Sequence, residues 1–258
     1  MSSSNQAEIQ ASFTCQAEDF ESRRMSFSKA DYLAYVVSKI APTKEATVLE
    51  VAAGTGVCGR ALAPHVRRVT CLDMTPAMLA VGKAQAEQAG LNHMSFVLGD
   101  AAALPFPDVG FDIVLSRLAF HHFPAVEPPF AEMVRGLRPG GRLLLIDMEA
   151  SAEPLRESRD RIEQLRDPSH VRNCSRTELL ALYAAHGLTA DCCETTRIPV
   201  DAESWLELTH TPPPVREEIR RRFTDERNGG EKTGFAPYTV SGQLRFDQQW
   251  LLLIGRKG

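Results

Sequence analysis

Residues 48–56 are an apolar run ending in a glycine-rich turn, with Glu50 inside the run and Gly54, Thr55 and Gly56 at its end. Glycines let the backbone approach a ligand closely, and a helix starting after the turn offers free N–H donors. The chemistry this suits is capture of a nucleotide-like molecule. With Gly59 the turn also satisfies G-x-G-x-x-G, so by itself it fits NAD nearly as well as adenosylmethionine, and its plainest reading is a bare tight turn. Asp73 ends the next apolar run, where a carboxylate can accept hydrogen bonds from two adjacent ribose hydroxyls, or simply begin a turn ahead of Pro76. Asp100 adds a third acid at the same sheet edge. Three carboxylates there oppose a pyrophosphate and suit a sulfonium cation, so the acid count favours the second cofactor.

Phe120, His121, His122 and Phe123 follow the fourth apolar run, where doubly wound folds bring substrate beside cofactor. An imidazole titrating near neutral pH can take a proton from an acceptor, so His121 or His122 is a candidate base; the plain alternative is a histidine hydrogen-bonded at a helix entry. His170 and Arg172 are candidate acceptor contacts, against a local capping or salt-bridge role. Trp205 and Tyr238, with Phe223 and Phe235, could line a lid over an apolar acceptor or form a small core of their own. Arg220, Arg221 and Arg222, beside Glu217 and Glu218, read as a solvated helix face.

The elements that must position these groups follow from periodicity. Strands are expected at 46–51, 67–73, 94–99, 111–116 and 141–148, alternating with helices, as in a mostly parallel α/β sheet. A helix at 76–88 has Thr75 as N-cap and Pro76 at its first position, and Gly90 ends it. A second helix spans 124–137, and residues 138–141 form a turn with two glycines. Later come a helix at 177–186, a strand at 188–198 and a final strand at 245–254. Between the last two lies an insertion at 199–242, carrying Pro212, Pro213 and Pro214, and the first 40 residues form a helical extension.

The bulk numbers exclude several classes. At 258 residues with 43% hydrophobic and 24% charged side chains, the chain can bury a core without staples. A net charge of −4 gives no general attraction to nucleic acid or anionic lipid, so a small-molecule partner is expected. No apolar run approaches the roughly 20 residues of a membrane span. The polar first twenty residues, with Glu8, Glu18 and Asp19, predict no export signal. Six cysteines without CxxC spacing predict neither a metal site nor a disulfide framework, and so a reduced, cytoplasmic protein. Oligomeric state is not encoded in any of these features.

Blocks 48–56, 69–79, 99–106, 111–123 and 135–147, in this order, resemble the class I S-adenosylmethionine-dependent methyltransferases, and within them the ubiquinone/menaquinone-biosynthesis-like (methyltransferase type 11) group. Residues 165–172, with the helix up to Gly187, resemble a subgroup acting on small molecules. The resemblance implies a doubly wound, seven-stranded Rossmann-like sheet with its last strand antiparallel, an N-terminal helical cap at 1–40, a core at 41–198 completed by 243–258, and a lid at 199–242. It implies S-adenosyl-L-methionine as cofactor and a small methyl acceptor, such as a phenol or quinone precursor. Glu50, Gly54 and Gly56 match the motif around the methionine portion, Asp73 the ribose acid, and Met74 the adenine wall. Asp100 and Ala101 match the adenine-edge contacts, Ser116 and Arg117 the backbone facing the cofactor amine, and Phe20 an aromatic that closes over the cofactor. Ala52 stands where many members have glycine. Two other readings stay open: an NAD-dependent oxidoreductase using Gly54, Gly56, Gly59 and Asp73, and a non-catalytic adenosylmethionine-binding regulator.

Overall fold

A computed structural model describes residues 3–17 and 30–258. In chain order the elements are α1 (Ser3–Gln16), α2 (Ala30–Ile40), β1 (Thr47–Val51), α3 (Val57–Leu62), β2 (Arg68–Asp73), α4 (Pro76–Gln88), β3 (Met94–Leu98), β4 (Phe111–Arg117), α5 (Glu127–Gly136), β5 (Leu137–Met148), α6 (Glu153–Arg166), α7 (Arg176–Ala185), β6 (Leu188–Asp201), α8 (Ala202–Leu208), α9 (Pro213–Arg227), β7 (Tyr238–Val240) and β8 (Gln243–Lys257).

The strands order as β3-β2-β1-β4-β5-β8-β6, with β7 paired to β8. The first five in this order are mutually parallel, while β8 runs antiparallel to both β5 and β6. This is the expected seven-stranded doubly wound sheet with its last strand antiparallel, extended by a short β7. Central strands read as unbroken apolar runs because both faces are covered. Successive side chains then point to opposite layers. Val48, Leu144, Ile146, Leu252 and Ile254 pack with Val36, Ile40 and Leu62 on one face. Leu49, Val51, Leu143, Leu145, Leu251 and Leu253 pack with Phe130, Met133 and Tyr183 on the other. Each such fully buried side chain contributes roughly 1.5–3 kcal/mol relative to exposure.

The sheet order reverses between β1 and β4, and a crevice opens there beyond the strands' carboxyl ends. Register sets what lines it: Val51 pairs Leu72, Asp73 pairs Leu98, and Arg117 pairs Ile146, so these strand ends meet at one edge. Gly82 lets α4 press on the turn after β1, since any side chain there would collide with the Thr55 carbonyl.

Several expected boundaries shift for identifiable reasons. Residues 138–141 are not a free turn: β5 begins at Leu137, opposite Phe111, and the register slips before resuming at Arg142 opposite Ile113. Gly140, at φ 74, absorbs that irregularity. The expected 124–137 helix starts only at Glu127. The helix expected at 177–186 begins one residue earlier, because Ser175 and Glu178 make a reciprocal capping box. The last strand starts at Gln243, where Ser241 and Gly242, both at positive φ, close a hairpin with β7.

Residues 199–242 hold the end of β6 as well as α8, α9 and β7. The Trp205, Phe223, Phe235 and Phe246 rings pack at 5.0–6.2 Å, Trp205 stacked on Phe223 and the other pairs edge-on or tilted, so the insertion's aromatics form a core of their own against β8. Among the described residues no helix is long and apolar enough to cross a membrane.

Candidate functional site

Past β1 the chain turns through Ala52 at φ 50, Gly54 at φ 56 and Gly56 at φ 73 before entering α3. A side chain at Gly59 would meet Glu50 Oε2 at 2.7 Å, so glycine there leaves room for that carboxylate. Glu50 Oε2 accepts from Gly59 N at 2.6 Å and lies 3.7 Å from Cys71 Sγ. Burial pushes the Glu50 carboxyl up to about 7, partly opposed by the Gly59 N–H and the charges of Arg117 and Arg60. Asp73 Oδ2 accepts from Gly54 N at 2.7 Å, and Oδ1 from Thr75 N at 2.8 Å. Burial raises its pKa too, against those two N–H donors. Two buried carboxylates thus brace the turn and face a cavity that opens to solvent.

Glu50, Ala52, Gly54, Asp73, Met74, Ala101 and Arg117 all line this cavity. Gly56, Asp100 and Ser116 do not: Gly56 is the left-handed N-cap of α3, Asp100 Oδ1 accepts from Ala102 N at 2.8 Å, and Ser116 is fully buried in β4. Phe20 lies outside the described residues. The sequence reading missed Ile9 and Phe13 of α1, which form part of the wall.

A second polar cluster grows from the end of β5. Asp147, 2% exposed, accepts from Phe120 N at 2.7 Å, Ala119 N at 3.2 Å and Met148 N at 2.7 Å, and its Oδ1 lies 2.6 Å from His121 Nδ1. Leu118, at φ 53, bends the chain after β4 so that residues 120–122 form a 3₁₀ turn under this carboxylate. Burial lowers the His121 pKa, but the Asp147 charge and hydrogen bond, with Glu163 and Asp167 nearby, more than offset it, and the net shift is upward. The partner carboxyl responds in kind: burial raises Asp147, the His121 charge pulls it down, and the net shift is downward.

His122 differs from its neighbour, although the rings are only 4.1 Å apart. Burial, then the positive charge of His121, hold its pKa well below the ordinary imidazole range. Its Nδ1 sits 3.0 Å from Ser169 O and 3.1 Å from Ser169 Oγ, and Ser169 Oγ donates to Asp167 Oδ1 at 2.6 Å. With that hydroxyl proton committed, the hydrogen-bond network assigns the His122 proton to Nδ1. A neutral His122 therefore borders the first cavity.

A second cavity, of about 480 Å³, shares Phe13, Leu118 and His122 with the first. His121, Met148, Arg166, Asp167, Trp205 and Gln248 complete most of its wall. Of the four residues expected to touch an acceptor, Trp205 borders it, while the other three turn elsewhere. His170 Nε2 lies 3.1 Å from Asp160, with its ring 5.5 Å from His121. Arg172 pairs with Glu178 at 2.9 Å. Tyr238 donates to Asp247 at 2.7 Å and lines a separate groove with Arg159, Arg176 and Arg197. Asp147, Arg166 and Gln248 escaped the sequence reading. A lone acid ending the apolar run 143–146 was the one available signal for the first of them.

A methyltransferase-domain family matches residues 49–145. The uncharacterized methyltransferase YcgJ of Bacillus subtilis is 32% identical over 247 residues, covering 95% of this chain and 97% of YcgJ. Its crystal structure superimposes with a TM-score of 0.80 at 30% identity, covering 88% of this chain and 98% of that one. The uncharacterized protein YafE of Escherichia coli is 36% identical over 159 residues, 61% of this chain and 77% of YafE. The ubiquinone/menaquinone biosynthesis C-methyltransferase UbiE of Methylobacterium nodulans is 39% identical over 118 residues, 43% of this chain and 46% of UbiE. With the acid-braced glycine turn at the sheet's switch point, these likenesses make the chain a member of the class I S-adenosylmethionine-dependent methyltransferases, in the methyltransferase type 11 group.

Proposed function

We propose that the protein moves a methyl group from S-adenosyl-L-methionine to a small, partly apolar acceptor of the phenol or quinone-precursor kind, one that arrives carrying the proton it must lose. One observation carries this reading: His121, fixed through Nδ1 by Asp147, borders a second cavity that adjoins the cofactor cavity along Phe13, Leu118 and His122. Glu50, Asp73, Met74 and Ala101 would hold the cofactor, which supplies a methyl group already activated by positive sulfur. The protein's task is then position and proton.

Alignment of the acceptor with the methyl group supplies several of the roughly 7–11 kcal/mol available from orientation. His121 takes the acceptor's proton at Nε2, while Asp147 holds the tautomer and stabilises the imidazolium that forms. Helix α1 contributes Phe13 and Gln16 to the wall and residues 199–242 contribute Trp205 and Leu208, which fits a cap at 1–40 and a lid at 199–242 excluding water from a core at 41–198 and 243–258. UbiE is a ubiquinone/menaquinone biosynthesis C-methyltransferase, which supports the acceptor class through the aligned 43% of this chain. Six free cysteines suit a reducing cytoplasm.

An oxidoreductase reading has less support, since Glu50 and Asp73 would oppose a pyrophosphate at the turn. A regulator would bind the cofactor without turnover. Incubation with labelled S-adenosylmethionine and a panel of phenols and hydroquinones should give labelled product, and His121→Asn should suppress it by about 10²-fold or more. Tight NADH binding without adenosylmethionine binding, or cofactor binding with no turnover on the panel or in source extract, would refute the proposal.

A further inference from the structure

Buried polar atoms need partners, and the wall of the second cavity holds donors without them. Arg166, 7% exposed, lies with its guanidinium carbon 4.6 Å from the centroid of the Trp205 ring. Its Nε is buried and has no hydrogen-bond acceptor. The nearest carboxylates, Glu163 at 3.5 Å from Nε and Asp167 at 3.9 Å from Nη2, stand beyond the 2.7–2.9 Å typical of charge-assisted hydrogen bonds. Gln248, 4% exposed, uses its oxygen to accept from Trp250 Nε1 at 3.1 Å, so its amide nitrogen is the end of the side chain left to donate. Both side chains line the cavity that His121 borders.

The unmet need is for an acceptor atom, and charge narrows what it can be. Glu163 and Asp167 flank the Arg166 charge, Arg159 faces Glu163, and Asp147 pairs with His121, so these charges balance and a carboxylate or phosphate entering this wall would be desolvated with no surplus positive charge to hold it. A neutral oxygen meets donors alone. We propose that Arg166 and Gln248 form a subsite for a neutral carbonyl oxygen on the methyl acceptor, so that its preferred substrates are hydroxyaryl compounds also bearing a ketone or quinone-type carbonyl. This assignment rests on the reading of the second cavity as the acceptor site. It makes Arg166 and Gln248 specificity-determining residues, distinct from the His121 base.

The test is binding of the isomeric hydroxyacetophenones, ethylphenols and hydroxybenzoates to the full-length protein saturated with S-adenosylhomocysteine, by calorimetry. At least one hydroxyacetophenone should bind about tenfold or more tightly than the matching ethylphenol, because the analogue leaves buried donors unpaired. Gln248→Glu keeps the oxygen that Trp250 needs but replaces the donor with a carboxylate, and should bring that ratio to within about twofold; Arg166→Lys, which keeps the charge but not the fork, should lower it in part. S-adenosylhomocysteine binding by both variants is the check that they fold. A ratio near one in the wild type, or a tenfold ratio that survives Gln248→Glu, overturns the subsite alone. Preference for hydroxybenzoate overturns its neutral character. If no hydroxyaryl compound binds while the cofactor product does, the acceptor reading falls, and the subsite with it.

Discussion

Glu50→Gln should make the protein more stable and a poorer cofactor binder at once. The Glu50 carboxyl is 2% exposed and its pKa rises from 4.5 to about 7 on folding, with burial as the first cause. At about 1.4 kcal/mol per unit, holding this group ionised in the fold costs roughly 3 kcal/mol above pH 7. The sign follows from linkage. Below pH 4.5 the carboxyl is protonated folded or unfolded and costs nothing; as pH rises the unfolded chain ionises first, and stability is lost until the folded group ionises near 7. Glutamine keeps an oxygen for Gly59 N and carries no charge, so the unligated variant should gain about 1–3 kcal/mol at pH 8, or roughly 2–10 °C in Tm. That gain should vanish near pH 4.5. Adenosylmethionine affinity, which uses the carboxylate against a cation, should fall about 10- to 100-fold. In the wild type, affinity should drop roughly fivefold between pH 7 and pH 6 as the ionised fraction falls, whereas the variant should be flat. Thermal melts at both pH values and calorimetric titration read both effects. A variant that melts no higher than wild type at pH 8, or binds the cofactor within twofold of it, would show that Glu50 is not a strained acid held for the ligand.

Other expectations test other parts of the site. Activity on a phenol should rise with pH through a value above 6.5, since base catalysis needs neutral His121 and its pKa is raised; in Asp147→Asn that limb should move to lower pH, with turnover down about 10²-fold or more, and an unmoved limb would remove His121 as the base. Ala52→Gly should raise stability by roughly 0.5–1 kcal/mol, because the left-handed backbone at φ 50 costs a non-glycine residue about 1–2 kcal/mol and glycine's lost freedom returns only part of it; a lower melting temperature would contradict this. Phe13→Ala should weaken cofactor binding roughly 3- to 10-fold, since its ring meets His122 edge-on at 5.0 Å and it walls both cavities, and unchanged affinity would mean that α1 does not cover the bound ligand.

What could be read from the sequence was whatever local pattern dictates. The strands, the turn at Gly54 and Gly56, and Asp73 at a strand end all follow from apolar periodicity meeting backbone freedom, and the structure brings Glu50, Gly54 and Asp73 to one cavity wall. The choice between His121 and His122 could not be read there, because it is made by groups distant along the chain. Asp147 lies 26 residues beyond His121, and Ser169 lies 47 residues beyond His122. Asp147 raises the pKa of one imidazole, while burial and then the charge of His121 hold the other down against the Ser169 hydrogen bond.

The charged helix α6 was not read from the sequence at all. Although ten of its fourteen residues are charged or polar, Arg159, Glu163 and Arg166 are at most 7% exposed. The aromatic core of residues 199–242 covers them: Arg159 lies 4.5 Å from the Phe235 ring and Arg166 lies 4.6 Å from Trp205. Long side chains that should reach water are thus laid along aromatic rings, with their charges balanced inside the protein. A sequence rule that assigns charge runs to solvent fails where a neighbouring segment brings enough aromatic surface to roof them. Such roofed charges are also where a cavity acquires its selectivity, since a donor held dry and unpaired discriminates between ligands far more than the same donor in water. The second cavity is therefore lined by pairs such as Arg166 with Trp205 and His121 with Asp147, each assembled only when separate elements fold together.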